Sequence, residues 1–215
     1  MDPTVTTATP RVVHYYRALA ETHGTPLFLV DCAVARRQVR RLRQALPGVG
    51  LFYAIKALPC GELLDSLAAV GAGFDIASSG EIDLLRDRGI GAMGTIHTHP
   101  VKRDIDIRTA LRFGCTTFVV DNSDELAKFR RYGQRVGLLL RLAISSRDAA
   151  VDLSKKFGCA PGEALELLLQ AKAWGLTVKG LSFHVGSQCR SSTGHVAALD
   201  CCHQLIQRAR ALGVG

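Results

Sequence analysis

The sequence lacks the long apolar run that a membrane-spanning helix needs. No stretch approaches the roughly 20 consecutive apolar residues required to cross a bilayer, and the threonine-rich start, residues 1–10, lacks the charged-then-apolar order of a signal peptide. We therefore expect a cytoplasmic protein that does not bind a membrane. With 47% hydrophobic and 21% charged residues, its 215 residues can form a folded core and are not disordered by composition.

The sequence also lacks any Cys-x-x-Cys pair of the kind that structural zinc sites use. Its seven cysteines are odd in number and scattered, so we interpret them as reduced thiols that mainly pack in the core. His97-Thr98-His99 places two imidazoles at a strand end, as in metal-dependent hydrolases. No matching set of carboxylate and histidine ligands follows except the lone His184, so we predict no metal site.

Aromatic residues are absent from the most basic segment, residues 36–43. The net charge of +8 is compatible with nucleic-acid binding, but this segment has the pattern of an amphipathic helix whose arginines form a solvated outer face. Without aromatic side chains for base stacking, nucleic-acid binding is disfavoured. The apolar residues at helical spacing are Ala35, Val39, Leu42 and Leu46.

Apolar or glycine-led runs recur along the chain about every 20 residues, and each is followed by a helical pattern. Strands and helices that alternate at this period predict a parallel sheet with right-handed crossovers, closed into a (β/α) barrel. Residues 26–31 are expected to form a first strand, after which Asp31 caps a helix that runs to Leu46. The six later runs begin near Leu51, Gly73, Gly94, Thr116, Val136 and Gly180.

The last interval is twice as long as the others because residues 145–159 insert a polar, charged segment before a helix that starts at Pro161. Long loops in compact domains are often lids or binding loops. Lys155, Lys156 and Gly158 suit a mobile loop that binds an anionic or carboxylate-bearing ligand, and a plain solvated loop is the alternative.

Residues 89–94 fit the pattern G-x-G-x-x-G, but they follow a helix and lead into a strand. This is the reverse of the order that directs backbone amides at a pyrophosphate, so we interpret them as a helix stop and a turn. The helix before them is expected to begin with a capping box, Ser78 and Glu81, and to end at Gly89.

A short apolar run, residues 51–59, contains one lysine and is broken by a proline, and it has the composition of a buried parallel strand. Lys56 would then lie at the carboxyl end of that strand, where parallel α/β proteins gather their chemistry. An amine that is partly desolvated there can act as a nucleophile, so Lys56 is our candidate for a Schiff-base lysine. The alternative is a strand that simply ends in a solvated lysine.

Polar residues also stand near the predicted carboxyl ends of other strands. Asp75 and Glu81 carry carboxylates that could hold and orient Lys56. Arg141 is a cation inside an apolar strand, which is costly unless it meets an anion. The predicted strand ends are Lys56, Ile76, His99, Asp121, Arg141 and His184.

The last of these strand ends combines a histidine with small residues. His184 offers a flat imidazole, and Gly186-Ser187 can approach a phosphate. A lone histidine on an apolar strand is more often a hydrogen-bonded core residue. Its coincidence with a lysine, two acids and an arginine at successive strand ends favours one shared binding site.

These residues lie in motifs that resemble those of the fold-type III pyridoxal-phosphate enzymes, and within them the ornithine decarboxylase branch. Tyr53-Ala54-Ile55-Lys56 is similar to that family's cofactor motif Tyr-Ala-Val-Lys. Residues 73–81, 153–158 and 182–187 are also similar to family motifs, and the resemblance extends from about residue 26 to the end. It implies a TIM-type (β/α)8 barrel of the alanine racemase-like kind.

By this resemblance, Lys56 would bind pyridoxal 5'-phosphate covalently, His184 would stack on its ring and Ser187 would contact its phosphate. Two departures, Ala57-Leu58-Pro59 and His99-Pro100, affect fine positioning rather than the type of reaction. The residues that would position the lysine and the cofactor are Asp75, Glu81 and Arg141.

The implied reaction is decarboxylation of a basic amino acid, ornithine or lysine, to give a polyamine precursor. Residues 99–102 and 148–158 favour this branch. Gln188 also resembles diaminopimelate decarboxylases, which makes diaminopimelate the alternative substrate. A third possibility is a catalytically silent relative that binds a partner protein, as antizyme inhibitors do.

The barrel is expected to be incomplete. A (β/α)8 barrel needs eight strands, whereas six with barrel phase follow residues 26–31, and the C-terminal β-domain of the resembled family is not found. We expect an N-terminal extension and helix, residues 1–25, and a partial pyridoxal-phosphate-binding barrel, residues 26–215.

The open edges of this partial barrel should cause aggregation or pairing with another chain. A complete enzyme would be a homodimer, or a second chain would supply the missing part, and this chain alone should bind the cofactor weakly and decarboxylate nothing measurable.

Overall fold

The computed structural model describes residues 10–146 and 148–214. The helix expected in residues 1–25 is present as α1, while residues 1–9 lie outside the described residues. The helices are α1 (Pro10–His23), α2 (Cys32–Ala45), α3 (Gly61–Ala68), α4 (Ser79–Asp87), α5 (Asp104–Phe113), α6 (Ser123–Lys128), α7 (Pro161–Ala173) and α8 (Thr193–Ala211). The strands are β1 (Phe52–Ala54), β2 (Gly73–Ile76), β3 (Thr95–His97), β4 (Thr117–Val120), β5 (Gly137–Leu142), β6 (Ala149–Val151), β7 (Thr177–Phe183) and β8 (Ser187–Cys189).

Six strands form one parallel sheet in the order β1-β2-β3-β4-β5-β7, so each strand pairs with its neighbours in the sequence of barrel strands. The predicted parallel α/β fold with six barrel strands is therefore confirmed. All six carboxyl ends lie at one end of the sheet, as strict parallel pairing requires. The sheet is not closed between β1 and β7 in the part of the chain that the structure describes.

The prediction of a strand at residues 26–31 is wrong. No strand in the described residues pairs with this segment, so its backbone groups have no ladder partner, and Phe28 is 76% exposed. Apolar composition alone does not make a strand without a neighbour. The cap that follows is confirmed, because the carboxylate of Asp31 accepts hydrogen bonds from Ala33 N at 2.8 Å and Val34 N at 3.2 Å.

Helix α2 carries the arginines of the basic segment, and only part of its predicted apolar face is buried. Val39 is buried, whereas Leu42 and the residue after the helix, Leu46, are exposed. Two arginines bind the neighbouring helix region: Arg36 Nη1 donates to Ser66 Oγ at 3.1 Å, and Arg43 Nη2 donates to Gly71 O at 2.7 Å.

Apolar side chains from the sheet and its helices form one core, in which Phe74 and Phe118 are fully buried. The start of α4 departs from the expected capping box. Ser78 Oγ accepts from Glu81 N at 3.4 Å, but Glu81 Oε2 accepts from Ala77 N at 2.6 Å rather than from the cap residue. The expected end of this helix is found, with Gly89 at φ +66°.

Residues 145–159, interpreted from sequence as a loop, contain a strand. Strand β6 pairs antiparallel with β8, with Ala149 opposite Cys189 and Val151 opposite Ser187. The ladder depends on Gly186, whose φ is +110° and whose added Cβ would lie 2.5 Å from Ala149 Cβ. The inserted segment is therefore tied to the chain that follows β7.

The remaining sequence observations concern the membrane, metals and thiols. No helix among the described residues is long and apolar enough to span a membrane, and all seven cysteines are free. Residues 10–146 and 148–214 contain no group of three or more His, Cys, Asp or Glu side chains placed to hold a metal ion. The paired histidines face different neighbours, since His97 packs on Phe118 and His99 packs on Phe157, with ring centroids 5.7 and 5.5 Å apart.

Candidate active site

Lys56 lies just beyond the first barrel strand. Strand β1 ends at Ala54, two residues earlier than predicted, and Lys56 is in a single 3-10 turn, Ile55–Ala57. Ile55 is completely buried and anchors this turn, and Tyr53 OH donates to Leu58 O at 3.2 Å. The expected desolvation of Lys56 is not found, because β1 is an edge strand and the lysine side chain is exposed.

Asp75 lies on β2, directly opposite Ala54 in the parallel ladder. Its carboxylate accepts hydrogen bonds from Thr98 Oγ1 at 2.6 and 2.7 Å and from Thr98 N at 3.2 Å. Burial raises the pKa of Asp75, while these hydrogen bonds and the positive charges of Lys56 and Arg141 oppose the rise. Thr98 thus fixes the orientation of the carboxylate beside the lysine turn.

Glu81 lies in the first turn of α4, the helix that follows β2. Burial raises its pKa, the hydrogen bond from Ala77 N opposes the rise, and the negative charge of Asp75 adds to it. Lys56 opposes the rise for both carboxylates. The two predicted acids therefore share one electrostatic environment with the predicted lysine.

Arg141 lies on β5 and is half-buried. Its guanidinium carbon is 5.4 Å from the ring centroid of Phe157, and its buried Nε has no hydrogen-bond partner among the described residues. Burial lowers the pKa of Arg141, and the negative charges of Asp121 and Asp75 oppose that fall. A half-buried cation with an unpaired donor fits an anionic ligand.

His184 follows β7 and is exposed at the carboxyl end of the sheet. Gly186 N donates to His184 Nδ1 at 3.0 Å, which assigns the ring proton of the neutral imidazole to Nε2. Burial lowers the pKa of His184, followed by the positive charges of Arg141, Lys56 and His195. Its ring face is free to pack against a flat ligand.

Five of the six predicted site residues thus lie near one another, because the charge of Lys56 acts on the pKa of Asp75, Glu81 and His184, and the charge of Arg141 acts on the pKa of Asp75 and His184. The sixth, Ser187, is exposed on β8, where it pairs with Val151 of the inserted segment rather than with the barrel sheet. The five are Lys56, Asp75, Glu81, Arg141 and His184.

Sequence reasoning missed two residues that hold the site. Thr98 was considered only as the spacer between two histidines, yet it is the threonine that binds Asp75. Asp121 was recognised as a strand end without a role, and its buried carboxylate accepts from Gly158 N at 2.9 Å. The available signal for both was their position directly after a parallel strand.

A buried lysine lies behind the site. Lys102 Nζ donates to Val119 O at 2.6 Å, to Pro100 O at 2.7 Å and to His99 O at 3.0 Å, and it lies 3.4 Å from Glu125 Oε2. Burial lowers its pKa to about 8. Its hydrogen bonds connect the turn after β3 to the end of β4, so its contacts are structural.

This combination defines a class of protein: a parallel β/α sheet of the barrel type, with an amine, two acids, a guanidinium and an imidazole at the carboxyl ends of its strands. Residues 33–215 match the family model described as pyridoxal-dependent decarboxylase, pyridoxal binding domain. The chain belongs to this family, which confirms the resemblance and the prediction of pyridoxal 5'-phosphate as the cofactor.

The similar proteins include amino-acid decarboxylases. The crystal structure of lysine/ornithine decarboxylase from Vibrio vulnificus, complexed with putrescine, is 45% identical with a TM-score of 0.89, over 96% of this chain and 55% of that one. Lysine/ornithine decarboxylase of Selenomonas ruminantium is 34% identical over 92% of this chain and 50% of its own length. Antizyme inhibitor 2 of Xenopus laevis is 34% identical over 86% of this chain and 41% of its own length. The chain spans about half the length or less of the curated relatives it matches.

Proposed function

We propose that this chain is the cofactor-binding part of a pyridoxal-phosphate-dependent decarboxylase that acts on ornithine or lysine. The observation that carries the proposal is the shared electrostatic environment of Lys56, Asp75 and Arg141 at the carboxyl end of a sheet from this family. When bound, pyridoxal phosphate supplies an electron sink for the electron pair left by the departing carboxylate. A cytoplasmic location and a homodimeric assembly remain predictions.

In this proposal each side chain has one task. Lys56 holds the cofactor through its amine, and Asp75, fixed by Thr98, lies near that amine and orients it. His184 presents its ring face to the cofactor with its Nδ1 held by Gly186 N. The unpaired Nε–H of Arg141 meets negative charge, and Ser187 contacts the phosphate. Glu81 supports the same lysine from α4.

Ornithine and lysine are preferred as substrates because of the relatives. The Vibrio vulnificus enzyme has been crystallised with putrescine and with cadaverine, the amines left when these two amino acids lose their carboxyl groups. Diaminopimelate is the alternative suggested by Gln188. A silent binding protein is the second candidate function, favoured by the similarity to antizyme inhibitor 2, but the presence of Lys56 argues against it.

The experiment combines covalent trapping with a substrate comparison. The purified chain is mixed with pyridoxal phosphate, reduced with borohydride, digested and analysed by mass spectrometry, and we expect the cofactor on Lys56. Lys56→Arg keeps the positive charge beside Asp75 but removes the reactive amine, so it should lose the label, while Lys172→Ala, at an exposed lysine of α7, should retain it. A label that persists at the same level in Lys56→Arg would refute the assignment.

The substrate assay uses a complete enzyme that contains this chain, with ornithine, lysine, arginine and meso-diaminopimelate side by side, and measures CO2 release. Release from ornithine or lysine supports the proposal. Turnover of diaminopimelate alone would replace it with the alternative. Capture of a partner protein without any label on Lys56 would favour the silent binding protein.

A further inference from the structure

Asp121 lies at the carboxyl end of β4, next to the strand that carries Arg141. Val120 pairs with Leu140 in the parallel ladder, so Asp121 and Arg141 are the next residues on two neighbouring strands. The Asp121 side chain is 8% exposed, and its two carboxylate oxygens accept from Gly158 N and from Asn122 Nδ2, each at 2.9 Å. No direct ion pair joins it to Arg141 within the described ranges. Its charge acts on the arginine through space, and its hydrogen-bonded connection to the arginine runs through Gly158.

Gly158 brings the inserted segment onto the end of β5. Its φ is +101°, and an added Cβ would lie 2.5 Å from Ala143 N and 2.6 Å from Leu142 C. The next residue continues this contact, because Cys159 N donates to Arg141 O at 2.9 Å and Ala143 N donates to Cys159 O at 2.8 Å. The backbone of Arg141 is thereby held by Cys159, the residue next to the glycine that Asp121 binds.

Phe157, the residue before Gly158, places its ring against the Arg141 guanidinium. The ring also makes an edge contact with His99, with centroids 5.5 Å apart, and Lys156 Nζ lies 5.3 Å from its centroid. The aromatic face orients the guanidinium without using its N–H groups, which stay available to a ligand. If Gly158 left the sheet, Phe157 would move with it and Arg141 would lose this support.

We propose that Asp121 is a positioning residue, which holds Gly158 on the sheet so that Phe157 keeps the Arg141 guanidinium oriented toward the ligand. This inference rests on the proposed function only for the identity of the ligand. The arrangement of Asp121, Gly158, Phe157 and Arg141 is a property of the chain itself, and it is measurable without the cofactor.

The test measures two exchange rates in the full chain without cofactor: hydrogen exchange of the Gly158 amide, and solvent exchange of the Arg141 Nε–H by NMR. Loss of a buried hydrogen bond to a carboxylate should speed exchange of the Gly158 amide in Asp121→Ala by about tenfold or more. Arg141 Nε–H exchange should rise in the same variant. Asp121→Asn can still accept the bond from Gly158, so it should change both rates by less than about threefold.

Asp152→Ala is the matched control. Asp152 accepts from Ser154 N at 2.9 Å inside the same segment, but it is exposed and does not tie that segment to the sheet. Its removal should leave both exchange rates within about twofold of the wild type. The proposal would be overturned if the Gly158 amide in Asp121→Ala exchanged at the wild-type rate. It would also be overturned if the Gly158 amide exchanged faster while the exchange rate of the Arg141 Nε–H stayed unchanged.

Cofactor retention is then measured by equilibrium dialysis against pyridoxal phosphate. We expect a loss of about tenfold in affinity for Asp121→Ala and a smaller loss for Asp121→Asn. If the wild type retains no cofactor, the proposed function fails, whereas the two exchange rates still decide the role of Asp121. Unchanged affinity in an Asp121→Ala variant with raised exchange would show that Asp121 positions nothing for the ligand.

Discussion

His97 is a buried imidazole whose two ring nitrogens have no hydrogen-bond partner among the described residues. It is 1% exposed on β3, against Phe118. Burial, followed by the positive charges of Lys102 and His99, lowers its pKa from 6.5 to about 4. The folded chain therefore keeps this ring neutral over a pH range in which the unfolded chain protonates it.

Acid should consequently destabilise the protein through His97. Between pH 6.5 and about 4 the unfolded state binds more protons, so the free energy of unfolding falls as the pH falls, by up to about 3 kcal/mol from this group. His97→Phe keeps a flat ring against Phe118 and should flatten that pH dependence in urea titrations at pH 7.5 and pH 5. His203→Gln, at an exposed position on α8, should leave it unchanged. If the free energy of unfolding fell by the same amount between pH 7.5 and pH 5 in the wild type and in His97→Phe, the prediction would be contradicted.

The two-stranded sheet of β6 and β8 depends on one glycine. In Gly186→Ala the new methyl would lie 2.5 Å from Ala149 Cβ and 2.7 Å from Val151 O, at a φ of +110°. We expect the ladder to open, with a loss of about 1–3 kcal/mol in the free energy of unfolding and faster hydrogen exchange in β6 and β8.

Gly162→Ala is the opposite case, because Gly162 lies in α7 with no atom within 4 Å of its added Cβ. It should be neutral or stabilise the chain by up to about 1 kcal/mol. Urea denaturation with exchange measurements on both variants checks the pair. A Gly186→Ala protein with wild-type protection in β8 would count against the role given to this glycine.

The predictability of these elements differs with the range of the contacts that form them. The six barrel strands follow from the sequence because buried parallel strands are short apolar runs between helical patterns. Residues 26–31 have a similar composition, but no strand among residues 10–146 and 148–214 pairs with them. The antiparallel β6–β8 pair joins two segments that are distant in sequence, with Gly186 beside it, and no local pattern indicates that pairing.

In the candidate site, too, the features that depend on contacts between distant segments could not be predicted from the sequence. The residue types at the strand ends were predictable, but their exposure was not. Lys56 is exposed because its strand is at the edge of the sheet, whereas Lys102 is buried because three backbone carbonyls and Glu125 surround its amine. Burial of a charge depends on neighbours that are distant in sequence, and a single strand does not encode them.

The sheet formed by the described part of the chain is open, and its β1 edge carries apolar side chains. Phe52 is 43% exposed there and lines a cavity of about 290 Å³ with Val39 and Leu63. Unpaired backbone groups beside an apolar surface favour pairing with another chain.

We expect the isolated chain to self-associate at this edge with rising concentration, as sedimentation velocity would detect. Phe52→Lys should weaken the association by about tenfold, because a charge on an edge strand opposes pairing. Met93 is 97% exposed in the turn before β3, and Met93→Lys should leave the association unchanged. Equal association by both variants would place the contact elsewhere.

The order of the sheet also has a consequence for synthesis on the ribosome. Barrel strands that are adjacent in the sheet are also successive along the chain. Each new barrel strand is therefore synthesised after the strand with which it pairs. At 5–20 residues per second, a repeat of about 20 residues emerges every 1–4 s or so. Among the described strands the nascent sheet therefore grows from β1 toward β7. Each parallel pair forms only after its crossover segment has emerged, so this pairing is non-local and slower than that of an antiparallel hairpin.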